Sequence, residues 1–251
     1  GEPGFTQIKF ANRLAENQVL PEYDFYYTNG KNIGINGNPA PTSGLRWRHV
    51  FHPVQANIFS KKPPPPDAPY ATVMNWRSHA PIRFQGKTYG QKDIEFEKFI
   101  ELPKRVSSPL AVAVSGKDVP RERLLQNGWQ VQNGREMTLS FDAFCNYLTS
   151  SRGEFSVCKN VFVANNTAWF SDKSAAYLAS GRPVVLQDTG FSAHLPCGAG
   201  LFAVRTVEEA ADAINTVERD YERHARAARE IATEYFDAKK IMKKMLHELG
   251  L

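Results

Sequence analysis

Cysteine is scarce in this chain of 251 residues. The three present, Cys145, Cys158 and Cys197, are widely spaced and form no C-x-x-C pair. An odd count at such spacing argues against a disulfide framework and against a thiolate zinc site. A protein with reduced thiols in the cytoplasm is the expectation. Long apolar runs are missing as well: nothing approaches the roughly eighteen consecutive residues of a membrane-spanning helix. No secretory leader is visible, and the chain opens on GEPGFTQ without an initiator Met, as after cutting or processing upstream. Charge of one sign is not concentrated. The net charge of +5 is spread along the chain, and the only dense basic run is Lys239, Lys240, Lys243 and Lys244. A dedicated nucleic-acid binder gathers its charge in a stripe, so no nucleic-acid partner is expected. There is no internal repeat, and the only low-complexity tract is Pro63 to Pro66.

What is present suits a folded protein. Hydrophobic residues make up 42% and charged residues 23%, enough apolar material for a real core. The length corresponds to one large domain or one and a half ordinary ones. A boundary is expected at the proline run, whose extended conformation has no internal hydrogen bonds. It divides a small front segment, 1–65, from the remainder, 66–251. The front holds one helical pattern, IKFANRLAEN, an aromatic strand at 23–28 and a turn-rich stretch of Gly, Asn and Pro.

Beyond the prolines, strand and helix signals alternate. Strands are expected at 70–76, 110–116, 129–132, 154–159, 160–165 and 183–188. Helices are expected at 95–103, 121–128, 141–151 and 171–181, and from Thr206 almost to the end. Apolar strands without alternation, separated by helices, describe an α/β fold: a Rossmann-like parallel sheet with helices on both faces. TVEE at 206–209 reads as a capping box. Near the end, Ile241, Met242, Met245 and Leu249 form an apolar stripe opposite the four lysines. The lysines read as a wet helix face, or alternatively as a weak peripheral contact with anionic lipid.

The richest stretch is Trp169 to Ser192. Ser171 suits an N-cap, Asp172 the positive helix end, Gly181 the left-handed C-terminal position, and Pro183 stops the helix. Asp188, Thr189 and Gly190 fall just past the next strand, where open parallel sheets bind ligands. A helix N-terminus with the hydroxyls of Ser171 and Ser174 can cradle a pyrophosphate. Trp169, Phe170 and Phe191 border the region and can stack on a base or sugar. The plainer alternative is that Ser171 only caps and the aromatics are core.

The run 170–214 resembles the donor-binding C-terminal half of GT-B glycosyltransferases. The resemblance is carried by AAYLASG (175–181), Pro183 to Val185, Asp188 to Gly190, Gly200 with Leu201, and Glu208 to Ile214; it extends more weakly from about residue 69 to the end. It implies transfer of a sugar from a nucleotide-sugar donor, a UDP-sugar foremost, to an acceptor the sequence does not name. No metal or other cofactor is implied. Pyrophosphate would sit near Ser171 to Ala175, and Asp188 to Phe191 would face the sugar. Two departures matter. Retaining members carry an acidic pair where this chain has Ala168 and Ala176, so inverting displacement is the expectation if the protein is catalytic. The front segment is also short for an acceptor domain, which leaves a non-catalytic nucleotide- or glycan-binding module as the alternative.

Further donor-site candidates are Trp76 at the end of the first long strand, and Ser115, Gly116 and Lys117 after the next. Glu154 and Lys159 complete the set. Strand alternation puts Glu154, Ser156 and Cys158 on one face and Lys159 on the other. His49 and His52 are candidates for the base that deprotonates the acceptor hydroxyl, with surface packing as the alternative.

Overall fold

The unalternated apolar runs become the central strands of the molecule. The computed structural model describes residues 2–35, 37–59 and 62–251, so Lys61, at the start of the proline segment, lies outside the described residues. The front of the chain forms helix α1 (Phe5–Ala15) and a parallel pair, β1 (Tyr26–Thr28) with β2 (Trp47–His49). The sheet begins with β3 (Tyr70–Asn75), followed by a hairpin of β4 (Ile82–Phe84) and β5 (Lys87–Tyr89) and by α2 (Lys92–Glu97). Then come β6 (Leu110–Ser115), α3 (Arg121–Gln126), β7 (Gln130–Asn133), α4 (Phe141–Thr149), β8 (Gly153–Ser156), α5 (Asn160–Ala164) and α6 (Asp172–Ala179). The chain closes with β9 (Val184–Gln187), β10 (Leu201–Val204), α7 (Val207–Arg219), α8 (Tyr221–Tyr235) and α9 (Ala238–Glu248).

Six strands form one sheet in the order β10-β9-β8-β3-β6-β7, and every neighbouring pair is parallel. Counted from β3, this is the doubly wound order 3-2-1-4-5-6, in which the chain reverses its direction of travel between β3 and β8. Alternate residues of each strand feed different cores. Leu110, Val112 and Val114 of β6 pack with Phe96, Leu124, Trp129 and Ile214 on one face. Ala111 and Ala113 face the other way, with Ala71 and Tyr147. Further along that side Val184 and Leu186 meet α6 and α8 through Tyr177, Leu178 and Ala228. Both faces are therefore covered, as the sequence pattern requires.

Several local expectations need correction. Residues 160–165 form α5 and not a strand, because a short apolar run does not distinguish the two; α5 buries Val161 and Phe162. The helix expected at 95–103 starts earlier, as α2, and ends in a single 3-10 turn at Leu102–Lys104. Ser171 occupies the N-cap position of α6, but its side chain caps no backbone N–H. In the TVEE segment Thr206 Oγ1 does accept from Glu209 N at 3.2 Å, while Glu209 reaches back one residue further, to Arg205 N at 2.6 Å. In α9 no residue is fully buried, and Met242 and Leu249 of the expected stripe are exposed.

Arg182, just before β9, ties three pieces together. Its guanidinium is buried and has no carboxylate partner among the described residues; it donates instead to four carbonyls. Those of Ser151 and Ser180 lie at 3.0 Å and that of Lys62 at 2.8 Å, with Thr149 the fourth. Thr149 and Ser151 end α4 and Ser180 ends α6, so the cation sits where two helices leave carbonyls without intrahelical partners.

The front segment lies against the α/β unit. Asn12 of α1 donates to Arg83 O of the β4–β5 hairpin at 2.9 Å, and Gly30 bridges to Trp169. Val54 pairs with the start of α9, donating to Phe236 O at 2.7 Å and accepting from Ala238 N at 3.1 Å. At the far end of α9, Tyr27 Oη donates to Glu248 Oε2 at 2.9 Å, and Arg48 donates to Glu248 O at 2.7 Å. Among the described residues no helix is long and apolar enough to cross a membrane.

Candidate functional site

A cleft of about 730 Å³ opens at the carboxyl ends of β3 and β6 and extends past the end of β8, so that it spans the β3–β8 gap where the strand order reverses. This is the place that a doubly wound sheet offers a ligand, because two crossovers diverge there and leave a crevice. Asn75 and Ser115, the last residues of β3 and β6, form its floor with Met74 and Gly134. Residue 134 must be glycine, since a Cβ would lie 2.7 Å from Ser115 Oγ and 3.0 Å from Ala113 O. Thr138 and Phe144 close this end. Lys159, Trp169, Ser171, Asp172 and Lys173 form the wall beyond β8, and the front segment supplies Glu2, Asn29 and His52 opposite.

Three lysines reach this cleft, and their surroundings differ. Lys173 is held from below by Glu154, by Thr72 Oγ1 at 2.9 Å and by Ser156 Oγ at 3.2 Å. Glu154 is fully buried, so this pair is a fixed part of the floor. Lys159 is paired with Glu2 of the front segment. Lys92, at the start of α2, makes no hydrogen bond or ion pair among the described residues. Burial, reinforced by the neighbouring Lys173, pushes its ammonium down to about 8. A half-buried cation without a partner gains more than a fully solvated one from an arriving anion.

His52 hydrogen-bonds the Asn29 amide through Nε2 at the front edge of the cleft. Burial lowers its pKa below the ordinary histidine value, and the nearby Asp172 only partly opposes this. His49 is elsewhere: its Nε2 meets Ile33 O at 2.7 Å, and it does not line the cleft.

The structure sorts the remaining candidates. Ser115, Lys159 and Ser171 line the cleft, while Gly116 and Lys117 lie in an exposed loop beside it. Glu154 sits beneath the cleft as the partner of Lys173 and is closed to a ligand. Trp76, Phe170 and Phe191 are core: Trp76 packs on Phe96 at 5.5 Å, and Phe170 stacks on Phe236 at 4.9 Å. Ser174 is fully buried and faces away from the cleft. Asp188 organises its own loop, accepting from Gly190 N and Ser192 Oγ at 2.8 Å and from Arg205 at 2.7 Å. Thr189 donates to Trp169 O at 2.6 Å, so the 188–191 loop braces the cleft wall from behind without lining it. Lys92, Lys173, Asn29 and Glu2 escaped the sequence reading. They are scattered along the chain with no shared motif, and only the topology brings them together.

No protein-family model matches the sequence, and no curated protein matches it. Solved structures do match the fold. The Anabaena protein HepE in complex with UDP and glucose aligns with a TM-score of 0.60 at 14% identity, over 98% of this chain and 67% of that one. The same protein in complex with UDP-glucose aligns at 0.57 and 16% identity, with the same coverage. Sucrose-phosphate synthase from Thermosynechococcus elongatus aligns at 0.60 and 14% identity, over 95% of this chain and 61% of that one. The chain thus spans about two thirds or less of the length of these proteins. In fold it is similar to GT-B glycosyltransferases over almost its entire length, as the motif series in its second half implies.

Proposed function

We propose that the cleft binds a nucleoside-diphosphate sugar, UDP-linked foremost, and that the protein transfers the sugar to an acceptor hydroxyl. The observation that carries this reading is the position of Lys92 and Lys159 beside the N-terminus of α6, at the reversal point of a doubly wound sheet. The similarity in fold to proteins crystallised with UDP and UDP-glucose supports it. The diphosphate lies between these lysines and Ser171. The base extends toward Ser115, Gly134, Thr138 and Phe144, and the sugar toward Trp169 and the front segment.

The chemistry is a displacement at the anomeric carbon. His52 takes the proton of the acceptor hydroxyl, which replaces the Asn29 amide at Nε2. The acceptor oxygen forms its bond to carbon as the bond to the diphosphate oxygen breaks, and Lys92 neutralises the charge that develops on the leaving group. Because burial lowers its pKa, His52 holds its own proton less firmly than an ordinary histidine, which leaves Nε2 free to accept one. Transfer should therefore rise with pH through that lowered value, level off, and fall again once Lys92 loses its proton. His52→Gln should slow transfer by about 10²–10⁴-fold with donor affinity unchanged. A His52→Gln enzyme of wild-type rate would remove the base from this scheme.

The binding half is tested by thermal shift with UDP, GDP, ADP, TDP and CMP and their matching nucleotide sugars. A ligand at a hundred times its Kd adds about 2.7 kcal/mol, or roughly 5–10 °C in a chain of this length. A selective shift by one diphosphate is expected; no shift from any of them would overturn the reading. One observation favours a second reading, a binding module that transfers nothing: Ala168 and Ala176, where retaining relatives carry acids, are both buried. Selective binding with neither transfer nor donor hydrolysis would establish that module instead.

A further inference from the structure

The two paired lysines of the cleft are held in different ways. Lys173 is matched by Glu154, which is fully buried on β8 and has nowhere else to go. Lys159 is matched by Glu2, which arrives from 157 residues earlier and keeps 37% of its side chain exposed. Glu2 also accepts from His79 Nε2 at 3.0 Å, so two basic groups converge on one carboxylate at the cleft. The backbone beneath it is fixed: Thr6 N donates to Glu2 O at 2.8 Å, and Gly4 N donates to Gln7 Oε1 at 2.7 Å. Only the side chain has to turn for the carboxylate to leave.

We propose that Glu2 is an exchangeable internal counter-ion of the donor site, its carboxylate holding at Lys159 the place that a donor phosphate takes, so that binding expels it. This rests on the reading of the cleft as a nucleoside-diphosphate site. A phosphate brings more charge and more acceptor oxygens than a carboxylate and so wins Lys159, and the front segment is informed of donor occupancy through the freed Glu2 and His79. Glu2 does not vacate by protonation. Burial works to raise its pKa, but hydrogen bonds and charge from Lys159 and His79 outweigh this and hold it below the ordinary carboxylate value. Competition by another anion is the remaining route.

Glu2→Gln keeps the shape and removes the charge. Titration calorimetry of the full chain with UDP and with inorganic pyrophosphate should show both binding Glu2→Gln about fivefold more tightly than wild type, the worth of one partly exposed ion pair. Lys159→Ala should weaken binding and erase the difference that Glu2→Gln makes when the two changes are combined. Amine labelling read by mass spectrometry should modify Lys159 faster in Glu2→Gln, with pyrophosphate restoring protection. Unchanged or weaker binding of pyrophosphate by Glu2→Gln would overturn the proposal, even with UDP affinity intact. Tighter pyrophosphate binding with no response to UDP would leave the counter-ion standing and remove the nucleotide reading. Failure of both ligands on both proteins would remove both.

Discussion

Lys92→Glu is expected to weaken UDP binding by at least about a hundredfold, because it puts a like charge against the diphosphate in place of the cleft cation that has no partner among the described residues. Lys92→Ala should lose about ten- to a hundredfold, the worth of one charge-assisted hydrogen bond. Neither change breaks a hydrogen bond or ion pair among the described residues of the free protein, so the melting temperature of Lys92→Ala should hold or rise. Lys117→Glu is the matched control: the same charge change in an exposed loop outside the cleft should leave affinity within a factor of about two.

The pH dependence follows from the same residue. With its ammonium pushed down to about 8, Lys92 is mostly charged at pH 7 and loses its proton as the pH climbs through 8. A bound diphosphate stabilises the charged form and raises that pKa, so UDP affinity should fall progressively above pH 8. Near pH 8.5 binding should take up a fraction of a proton, which calorimetry in buffers of different ionisation enthalpy would measure directly. Affinity that is flat from pH 7 to 9.5, with Lys92→Ala unchanged, would exclude Lys92 from the phosphate site.

The second large effect concerns stability. Arg182→Met should destabilise the protein by about 3–5 kcal/mol, since it removes the one donor that joins the buried carbonyls of Ser151 and Ser180 and the part-buried ones of Thr149 and Lys62. In a chain of this size that corresponds to a drop in melting temperature of roughly 6–20 °C. Arg182→Lys should recover part of it, because one ammonium reaches some of the carbonyls but cannot fork to all. A melting temperature for Arg182→Met within about 2 °C of wild type would mean that water satisfies those carbonyls and the guanidinium is dispensable.

The sheet was legible because its strands are buried on both faces. LAVAVS and PVVL carry no polar alternation, and Gly181 with Pro183 marks where α6 must stop; Gly181 indeed adopts φ +69°. The strands β4 and β5 were not legible, being three residues each, too short for any period to register. Of the residues singled out in the sequence, Ser171, read as the N-cap of a helix, and Lys159, read as a phosphate partner, do line the cleft. Trp76 at a strand end, and Phe170 and Phe191 bordering the same region, are core instead, because position in the sequence does not say which way a bulky ring turns. Lys92 and Lys173 carry no local signal at all. Lys173 reads as an exposed helix residue until β3 and β8 place Thr72, Glu154 and Ser156 beneath it.

The ties between the front segment and α9 bear on how the protein is made. Tyr27 and Glu248 are 221 residues apart, and Val54 waits for Phe236 and Ala238. Synthesis proceeds from the N-terminus, so Asn29 and His52 leave the ribosome long before the residues that hold their segment down. The doubly wound sheet can assemble strand by strand as it emerges, but the front wall of the cleft cannot. A nascent chain therefore carries its lysine-lined crevice half built, with the Asn29 and His52 wall added only once the front segment and α9 have met.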